Sequence, residues 1–252
     1  MGRAIVVANQ KGGVGKTTTA INLAACMAAA GKRTLLIDLD PQGNATSGLG
    51  INKQALEHTI YDALVNDVPM RDVLAPTIID DLKIAPATKD LVGAEVELVG
   101  AGEREHRLKQ RLAAIKDEFE YIFVDCPPSL SLLTLNGLVA ADGVMITLQC
   151  EYYALEGLSE LLQTIVLVRD NLNAQLRLQG VLLTMYQHTN LSKQVVEDVR
   201  SHLGQKVYDT VIPRNVTLSE APSFGKPVIY YDLKSPGAQA YLALAREVVA
   251  RG

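Results

Sequence analysis

The feature that most constrains the fold of this chain is a glycine-rich loop that joins a strand-like segment to a helix-like one. The segment "RAIVVAN" has the apolar, β-branched composition of a buried strand, and the alanine-rich "KTTTAINLAACMAAA" has that of a helix. At their junction, Gly15, Lys16 and Thr17 form the end of a phosphate-binding P-loop pattern. Because a P-loop needs this order of strand, glycine loop and helix N-terminus, the chain is predicted to bind a nucleotide here.

The rest of the chain alternates between strand-like and helix-like segments. This pattern predicts an α/β fold with a mainly parallel, twisted sheet and helices on both faces. The further strand-like segments are "RTLLIDLD", "YIFVDC", "GVMITLQC", "LQGVLLTMY" and "KVYDTVI". No internal repeat or long linker separates them, so residues 1–252 are predicted to form a single P-loop domain.

Composition excludes several classes of protein. Hydrophobic residues make up 48% and charged residues 21%, which is typical of a globular chain and not of a disordered one. Cys26, Cys126 and Cys150 are scattered and odd in number, which argues against a disulfide framework or a zinc site and favours a reducing cytoplasm. The N-terminus leads at once into a strand, without room for a signal peptide, and no apolar run approaches the length of a membrane span.

The loop itself supplies the first candidate nucleotide contacts. Its backbone N–H groups can surround phosphate, Lys16 is expected to bridge the β- and γ-phosphates, and the Thr17 hydroxyl is expected to bind Mg²⁺. Lys11 lies five positions before Lys16, and two ammonium groups this close repel each other unless dense negative charge lies near both. The predicted nucleotide-binding residues of the loop are Lys11, Gly12, Gly13, Val14, Gly15, Lys16, Thr17 and Thr18.

Acidic residues end two of the strand-like segments. Asp125 follows four apolar or aromatic residues, the pattern of a Walker B strand, and is expected to hold the metal through a water molecule. Asp38 and Asp40 lie two positions apart, so in an extended segment both face the side where the nucleotide binds. An acid there can orient water for attack on the γ-phosphate; the alternative for both Asp38 and Asp40 is that they only cap loops.

Together these motifs resemble the ParA/Soj/MinD family of deviant Walker A ATPases, and most closely its chromosomal ParA (Soj) branch. The matching segments cover nearly the whole chain in order: "NQKGGVGKTTTAINLA", "DLDPQGNATSGLG", "DCPPSL", "CEYYALEGL", "VIPRNV" and "LSEAPSFGKP". The resemblance implies a P-loop ATPase with ATP and Mg²⁺ as cofactors. It also implies that Lys11 is the signature lysine, which reaches the phosphates of a partner subunit in an ATP-sandwich homodimer, with Gly12 at the subunit contact.

The same resemblance gives roles to other residues. Lys11, Lys16 and Asp40 are implied to act in catalysis, with Asp40 positioning water, and Asp125 is implied to be the Walker B acid. The implied adenine-lining residues are Pro213, Arg214 and Asn215, with Met185 nearby.

The implied function is ATP-dependent partitioning of chromosome or plasmid DNA. In this function the ATP-bound dimer holds nonspecific double-stranded DNA, and a ParB-type centromere-binding partner stimulates hydrolysis and release. Such a protein is expected in the cytoplasm on the nucleoid and not at a membrane. The alternatives are a MinD-like membrane-associated regulator, an ATPase that positions protein cargo, a metabolic P-loop ligase and an iron-protein reductase, which needs paired cysteines.

DNA binding has the least support from the sequence. The net charge is −4 and the pI about 5.6, so any DNA-binding surface must be a local patch. Soj-type relatives often carry arginine where this chain has His188 and Thr217, and losing two phosphate-neutralising cations predicts weaker DNA binding. The remaining candidate DNA contacts in this half of the chain are Lys193, Arg200, Lys206, Lys226 and Lys234.

The last predicted helix, from Gly237 to Arg251, bears on the membrane alternative. A membrane-surface helix needs a strongly basic polar face, but here Arg246 and Arg251 are offset by Glu247. The helix is therefore predicted to pack on the domain. The residues predicted to share its apolar stripe are Tyr241, Leu244, Ala245, Val248 and Val249.

Overall fold

Eight strands form one sheet in the computed structural model, which describes residues 2–151 and 154–251. The strands are β1 (Arg3–Ala8), β2 (Thr34–Asp38), β3 (Ala75–Pro76), β4 (Leu82–Ala85), β5 (Tyr121–Asp125), β6 (Gly143–Gln149), β7 (Arg177–Tyr186) and β8 (Val207–Pro213). Across the sheet their order is β3-β4-β2-β5-β1-β6-β7-β8. Only β3 pairs antiparallel among these described strands, so the predicted mainly parallel sheet is confirmed.

Helices connect the strands, with short 3₁₀ turns between several of them. They are α1 (Lys16–Ala29), α2 (Asn44–Gly48), α3 (Ile60–Val65), α4 (Met70–Val73), α5 (Leu91–Glu97), α6 (Arg107–Ala113), α7 (Leu132–Ala140), α8 (Ala154–Asn171), α9 (Asn190–Leu203), α10 (Val216–Glu220), α11 (Val228–Tyr231) and α12 (Pro236–Ala250).

The core lies on both faces of the sheet. In β1, Ala4, Val6 and Ala8 belong to one apolar cluster, whereas Ile5 and Val7 belong to the other. Successive side chains of a strand point to opposite faces, so a strand covered on both sides must be apolar throughout. Helices α3 to α9 contribute to the first cluster, and α1, α2 and α10 to α12 contribute to the second, which confirms helices on both faces.

Helix α12 packs on the domain, as its sequence predicts. Tyr241, Leu244 and Val248 are buried, and the Tyr241 hydroxyl lies 3.1 Å from the Thr19 hydroxyl of α1. The prediction that Val249 shares the buried stripe is wrong, because this side chain at the edge of the stripe is 45% exposed. Among the described residues, no helix combines the length and the apolar character needed to cross a membrane.

The carboxyl ends of β1, β2 and β5 meet at the centre of one edge of the sheet. The register pairs Asp38 of β2 with Asp125 of β5, and β1 lies between β5 and β6. The loops that leave these strands therefore converge, and such an edge is where open α/β sheets bind ligands. We call it the carboxyl edge, and the opposite side the amino edge.

Candidate active site

The loop between β1 and α1 adopts a conformation that requires glycine. Gly13 and Gly15 have φ angles of +73° and +86°, in the left-handed region that other residues rarely adopt. Asn9 fixes the start of the loop, since its side-chain nitrogen donates to the Thr147 carbonyl at 2.6 Å and its oxygen accepts from the Lys11 N–H at 2.9 Å. No side chain of the described residues caps α1, so its first N–H groups remain available to an anion.

Lys16 folds back over this loop. Its Nζ donates to the Lys11 carbonyl at 3.0 Å, and the residue is only 6% exposed. Burial lowers the pKa of Lys16, whereas the negative charge of Asp125 acts in the opposite direction. Thr184 of β7 fixes the loop from the other side, because its hydroxyl donates to the Val14 carbonyl at 2.9 Å. The loop is therefore shaped by contacts within the chain.

Lys11 takes a different direction from Lys16. Its Nζ lies 3.1 Å from the Oε2 atom of Glu151, and the two side chains are 56% and 50% exposed. Gln149 also holds Glu151, donating to Oε1 at 2.5 Å. The sequence reasoning missed Glu151 as the ionic partner of Lys11. Glu151 belongs to the "CEYYALEGL" motif, of which Tyr152 and Tyr153 lie outside the described residues.

The two acids after β2 have different environments. Asp38 is fully buried and accepts hydrogen bonds from the Asp40 N–H at 3.2 Å, the Thr46 N–H at 2.9 Å and the Thr46 hydroxyl at 2.7 Å. Burial raises the pKa of Asp38 to about 6. Asp38 thus holds the loop between β2 and α2, whereas Asp40 accepts from the Gln42 N–H at 2.9 Å and lines the cavity beside the phosphate loop.

Asp125 is fully buried, and neither of its carboxylate oxygens has a partner with good hydrogen-bond geometry among the described residues, although the Thr17 hydroxyl lies close enough to act against the rise in its pKa. Burial, and after it the negative charge of Asp38, raises the pKa of Asp125 well above its usual range. A buried carboxylate without a partner is costly, and a nearby cation removes that cost. Thr17 lines the cavity beside the phosphate loop and Asp125 does not, so a Mg²⁺ ion there would be held by the Thr17 hydroxyl directly and by Asp125 through a water molecule.

Two adjoining cavities lie at the carboxyl edge. One, of about 430 Å³, is lined by residues of the phosphate loop and by Asp40; we call it the phosphate cavity. The other, of about 370 Å³, is lined by Pro213, Arg214 and Asn215; we call it the base cavity. Both volumes are within the range of small-ligand sites. The residues that line both cavities are Gly15, Thr18 and Met185.

Met185 lines both cavities and has an unusual backbone conformation. Its φ is +52°, a left-handed value that is uncommon outside glycine and is often found at functional sites. The next residue, Tyr186, accepts from the Arg214 N–H at 3.0 Å, which brings the end of β7 against the base cavity.

Most, but not all, of the predicted nucleotide-binding residues line these cavities. Gly12, Gly13, Gly15, Lys16, Thr17 and Thr18 do so, whereas Lys11 and Val14 do not. Val14 is buried and takes part through its carbonyl. The sequence reasoning missed Gln42, Asn44 and Pro128, which line the phosphate cavity within the quoted motifs "DLDPQGN" and "DCPP".

The five cations predicted to contact DNA fall into two groups. Lys193 lies in the first turn of α9, near the carboxyl edge, and Lys226 and Lys234 lie between β8 and α12. Arg200 and Lys206 instead line a separate cleft at the amino edge. The structure does not bring all five onto one surface of a single chain.

Comparison with known proteins places this site in a family. A family described as an AAA domain matches residues 2–178. The chromosome partitioning protein ParA of Myxococcus xanthus is 58% identical over 252 residues, which cover 100% of this chain and 89% of that protein. The sporulation initiation inhibitor protein Soj of Bacillus subtilis is 58% identical over 253 residues, which cover 100% of both chains. The chain belongs to the ParA/Soj family of chromosome-partitioning ATPases.

A solved structure extends the ParA/Soj comparison to nucleotides. It is described as cobyrinic acid a,c-diamide synthase from Mycobacterium smegmatis, and it is 39% identical with a TM-score of 0.86, covering 98% of this chain and 93% of that one. That relative was determined with ADP and magnesium, and also with an ATP analogue and magnesium. The predicted family and ATPase activity are confirmed, and the predicted cofactors, ATP and Mg²⁺, agree with these ligands.

Proposed function

We propose that this protein is a DNA-partitioning switch. ATP joins two copies of the chain, the pair holds nonspecific double-stranded DNA, and a ParB-type centromere-binding partner stimulates hydrolysis and release. The observation that carries the proposal is the position of Lys11, which is half-exposed and does not line the phosphate cavity of its own chain. Gly12 beside it is exposed as well. The ammonium group of Lys11 is thus available to the phosphates of a second chain.

Each cavity has a role in holding the nucleotide. The base cavity takes the adenine against Pro213, Arg214 and Asn215, and the phosphate cavity takes the phosphates. Thr17, and Asp125 through a water molecule, would hold Mg²⁺, which would supply positive charge to neutralise the phosphates. Lys16 exchanges its contact with the Lys11 carbonyl for phosphate oxygens, which are stronger partners for an ammonium group.

Asp40 is the acid that orients the attacking water. Its side chain lines the phosphate cavity, and within the described residues the carboxylate accepts one hydrogen bond, from the Gln42 N–H. Asp38 is a poorer candidate because three donors already occupy its carboxylate and it is fully buried. The structure thus favours Asp40 for the water-orienting role and Asp38 for the loop-capping role.

The partition role is supported by the relatives named ParA and Soj, each 58% identical to this chain. The amide-forming enzyme named among the solved relatives is less similar, at 39% identity. Lys193 is in the first turn of α9, which follows the carboxyl end of β7. His188 and Thr217 stand where Soj-type relatives often carry arginine, so DNA binding is weaker than in relatives with arginine at both positions. The protein acts on the nucleoid in the cytoplasm.

The deciding experiment is DNA binding by the Asp40→Ala variant. With ATP and Mg²⁺ this variant should form the dimer without hydrolysis. We expect its affinity for a labelled duplex, measured by fluorescence anisotropy, to require ATP and to fall steeply as salt increases. Binding that ignores ATP, or ATP-dependent dimers that hold no DNA at any salt concentration, would contradict the proposal.

The matched control adds Lys11→Ala to the same background. It should bind ATP as a monomer, fail to dimerise in analytical ultracentrifugation, and lose the ATP-dependent part of DNA binding. Liposome co-sedimentation of the Asp40→Ala dimer tests the MinD-like alternative, in which a membrane replaces DNA.

A further inference from the structure

The amino edge of the sheet carries a cleft of about 750 Å³, which we call the amino-edge cleft. Arg3 is the first residue of β1, Arg177 is the first of β7, and Lys206 directly precedes β8. Because β1, β6, β7 and β8 run parallel, these residues start neighbouring parts of the same edge. The cleft is therefore on the opposite side of the sheet from the nucleotide cavities.

The amino-edge cleft has a strong excess of positive charge. Its charged lining residues are Arg3, Arg177, Arg200, Lys206, Arg251 and Asp209. Five cations thus surround one carboxylate in a chain whose net charge is −4. Like charges that share a concave surface repel each other, so this arrangement is unfavourable without an anion.

Two of the arginines make hydrogen bonds or ion pairs that give them a structural role. Arg251 donates to the Gln205 and Val207 carbonyls at 3.1 and 2.8 Å, and it pairs with Glu247 at 2.7 Å. Arg200 donates to the Asp209 carbonyl at 3.1 Å. These bonds tie α12 and α9 to the start of β8, so neither side chain by itself implies a ligand.

The other three cations have few or no partners within the described residues. Arg177 and Lys206 are exposed, and neither makes a side-chain hydrogen bond or ion pair within residues 2–151 and 154–251. Arg3 donates to the Gln179 side chain at 2.5 Å, and its Nη1 atom is buried with no acceptor among the described residues. A buried donor without an acceptor is costly, and rotation of the guanidinium toward an anion in the cleft would remove that cost.

We propose that the amino-edge cleft is a binding site for a small oligophosphate, a ligand with two or more linked phosphate groups held by Arg3, Arg177 and Lys206. Guanidinium groups suit phosphate because they donate two parallel hydrogen bonds. The volume is within the range of small-ligand sites, and a concave site favours a compact anion over a long duplex. The site is independent of the partition function.

Tripolyphosphate is a suitable probe, but the P-loop also binds phosphates. The test therefore starts from the Lys16→Ala variant, which weakens phosphate binding at the carboxyl edge, and measures tripolyphosphate binding by isothermal titration calorimetry. We expect saturable binding that weakens with salt. Adding Arg177→Gln and Lys206→Gln should weaken it at least tenfold, whereas Lys83→Gln with Lys89→Gln, two exposed lysines elsewhere, should leave it unchanged.

Three results would overturn the proposal. The first is no tripolyphosphate binding by the Lys16→Ala variant. The second is equal loss in the cleft variant and in its charge-matched control, which would show only a general effect of net charge. The third is that Arg177→Gln with Lys206→Gln changes the binding of duplex DNA but not that of tripolyphosphate. This result would make the amino edge a nucleic-acid surface.

Discussion

The ion pair between Lys11 and Glu151 should oppose dimer formation, and Glu151→Gln should relieve that opposition. In the single chain, the Lys11 ammonium lies 3.1 Å from the Glu151 carboxylate. If Lys11 must reach the phosphates of a partner chain, each chain first loses this contact. Glu151→Gln removes the carboxylate, so the free-energy cost of breaking the ion pair disappears. The dissociation constant of the ATP-dependent dimer should therefore decrease.

The structure sets the size of this effect. Both side chains are about half exposed, and such pairs contribute about 0.2–1 kcal/mol each. A dimer breaks two pairs, so the dimer should gain about 0.4–2 kcal/mol, or about twofold to thirtyfold in its dissociation constant. The gain should shrink as salt increases, because exposed charges are screened.

The measurement is sedimentation equilibrium with ATP and Mg²⁺ in the Asp40→Ala background, which under the proposed function should not hydrolyse ATP. Glu57→Gln is the control, since it removes one exposed carboxylate with the same change in net charge. A Glu151→Gln dimer that is weaker than its parent would refute the reasoning, because the carboxylate would then be needed within the dimer. A dissociation constant that is unchanged at low salt would show that the ion pair does not contribute to the free energy of dimer formation.

Four further outcomes are expected. Gly12→Val should leave the melting temperature of the monomer unchanged, since a Cβ there would have only ordinary contact at 3.9 Å, but it should abolish ATP-dependent dimers in ultracentrifugation. Thr46→Val should lower the free energy of unfolding by about 1–3 kcal/mol in urea titrations, because buried Asp38 loses its hydroxyl donor. Without Mg²⁺, stability should fall as pH rises above about 4, because burial raises the pKa values of Asp125 and Asp38 in the folded state and the unfolded chain releases these protons first. In thermal melts at several pH values, Asp125→Asn should remove the contribution of Asp125 and make this fall smaller, leaving that of Asp38. Thr217→Arg should increase DNA affinity and steepen its salt dependence in anisotropy titrations, and an unchanged affinity would argue against the missing-arginine explanation.

The sequence predicted the carboxyl edge of the sheet well because its signals are local. Gly15, Lys16 and Thr17 are adjacent, and Asp125 ends a strongly apolar strand, so pattern and structure agree. It did not predict β4, which has four residues with Lys83 exposed and lacks the long apolar run of the central strands.

The sequence could not separate Asp38 from Asp40, because both lie on the same side of an extended segment. The difference comes from Thr46, eight residues further on, whose N–H and hydroxyl both donate to Asp38. The contact between Lys11 and Glu151 spans 140 residues, and Arg3 and Arg177 share a cleft only because of the order of strands across the sheet. Contacts of this range depend on topology, which residue patterns do not specify.

The bonds that Asn9 and Thr184 make to the phosphate loop have a consequence for timing. A loop that already has its shape spends little free energy on ordering when nucleotide arrives, so a single chain can load early and at modest nucleotide concentration. Pairing is a second equilibrium, and it depends on how often two loaded chains meet. Under the proposed function, the local density of the protein, more than the supply of ATP, would then decide where and when the switch turns on.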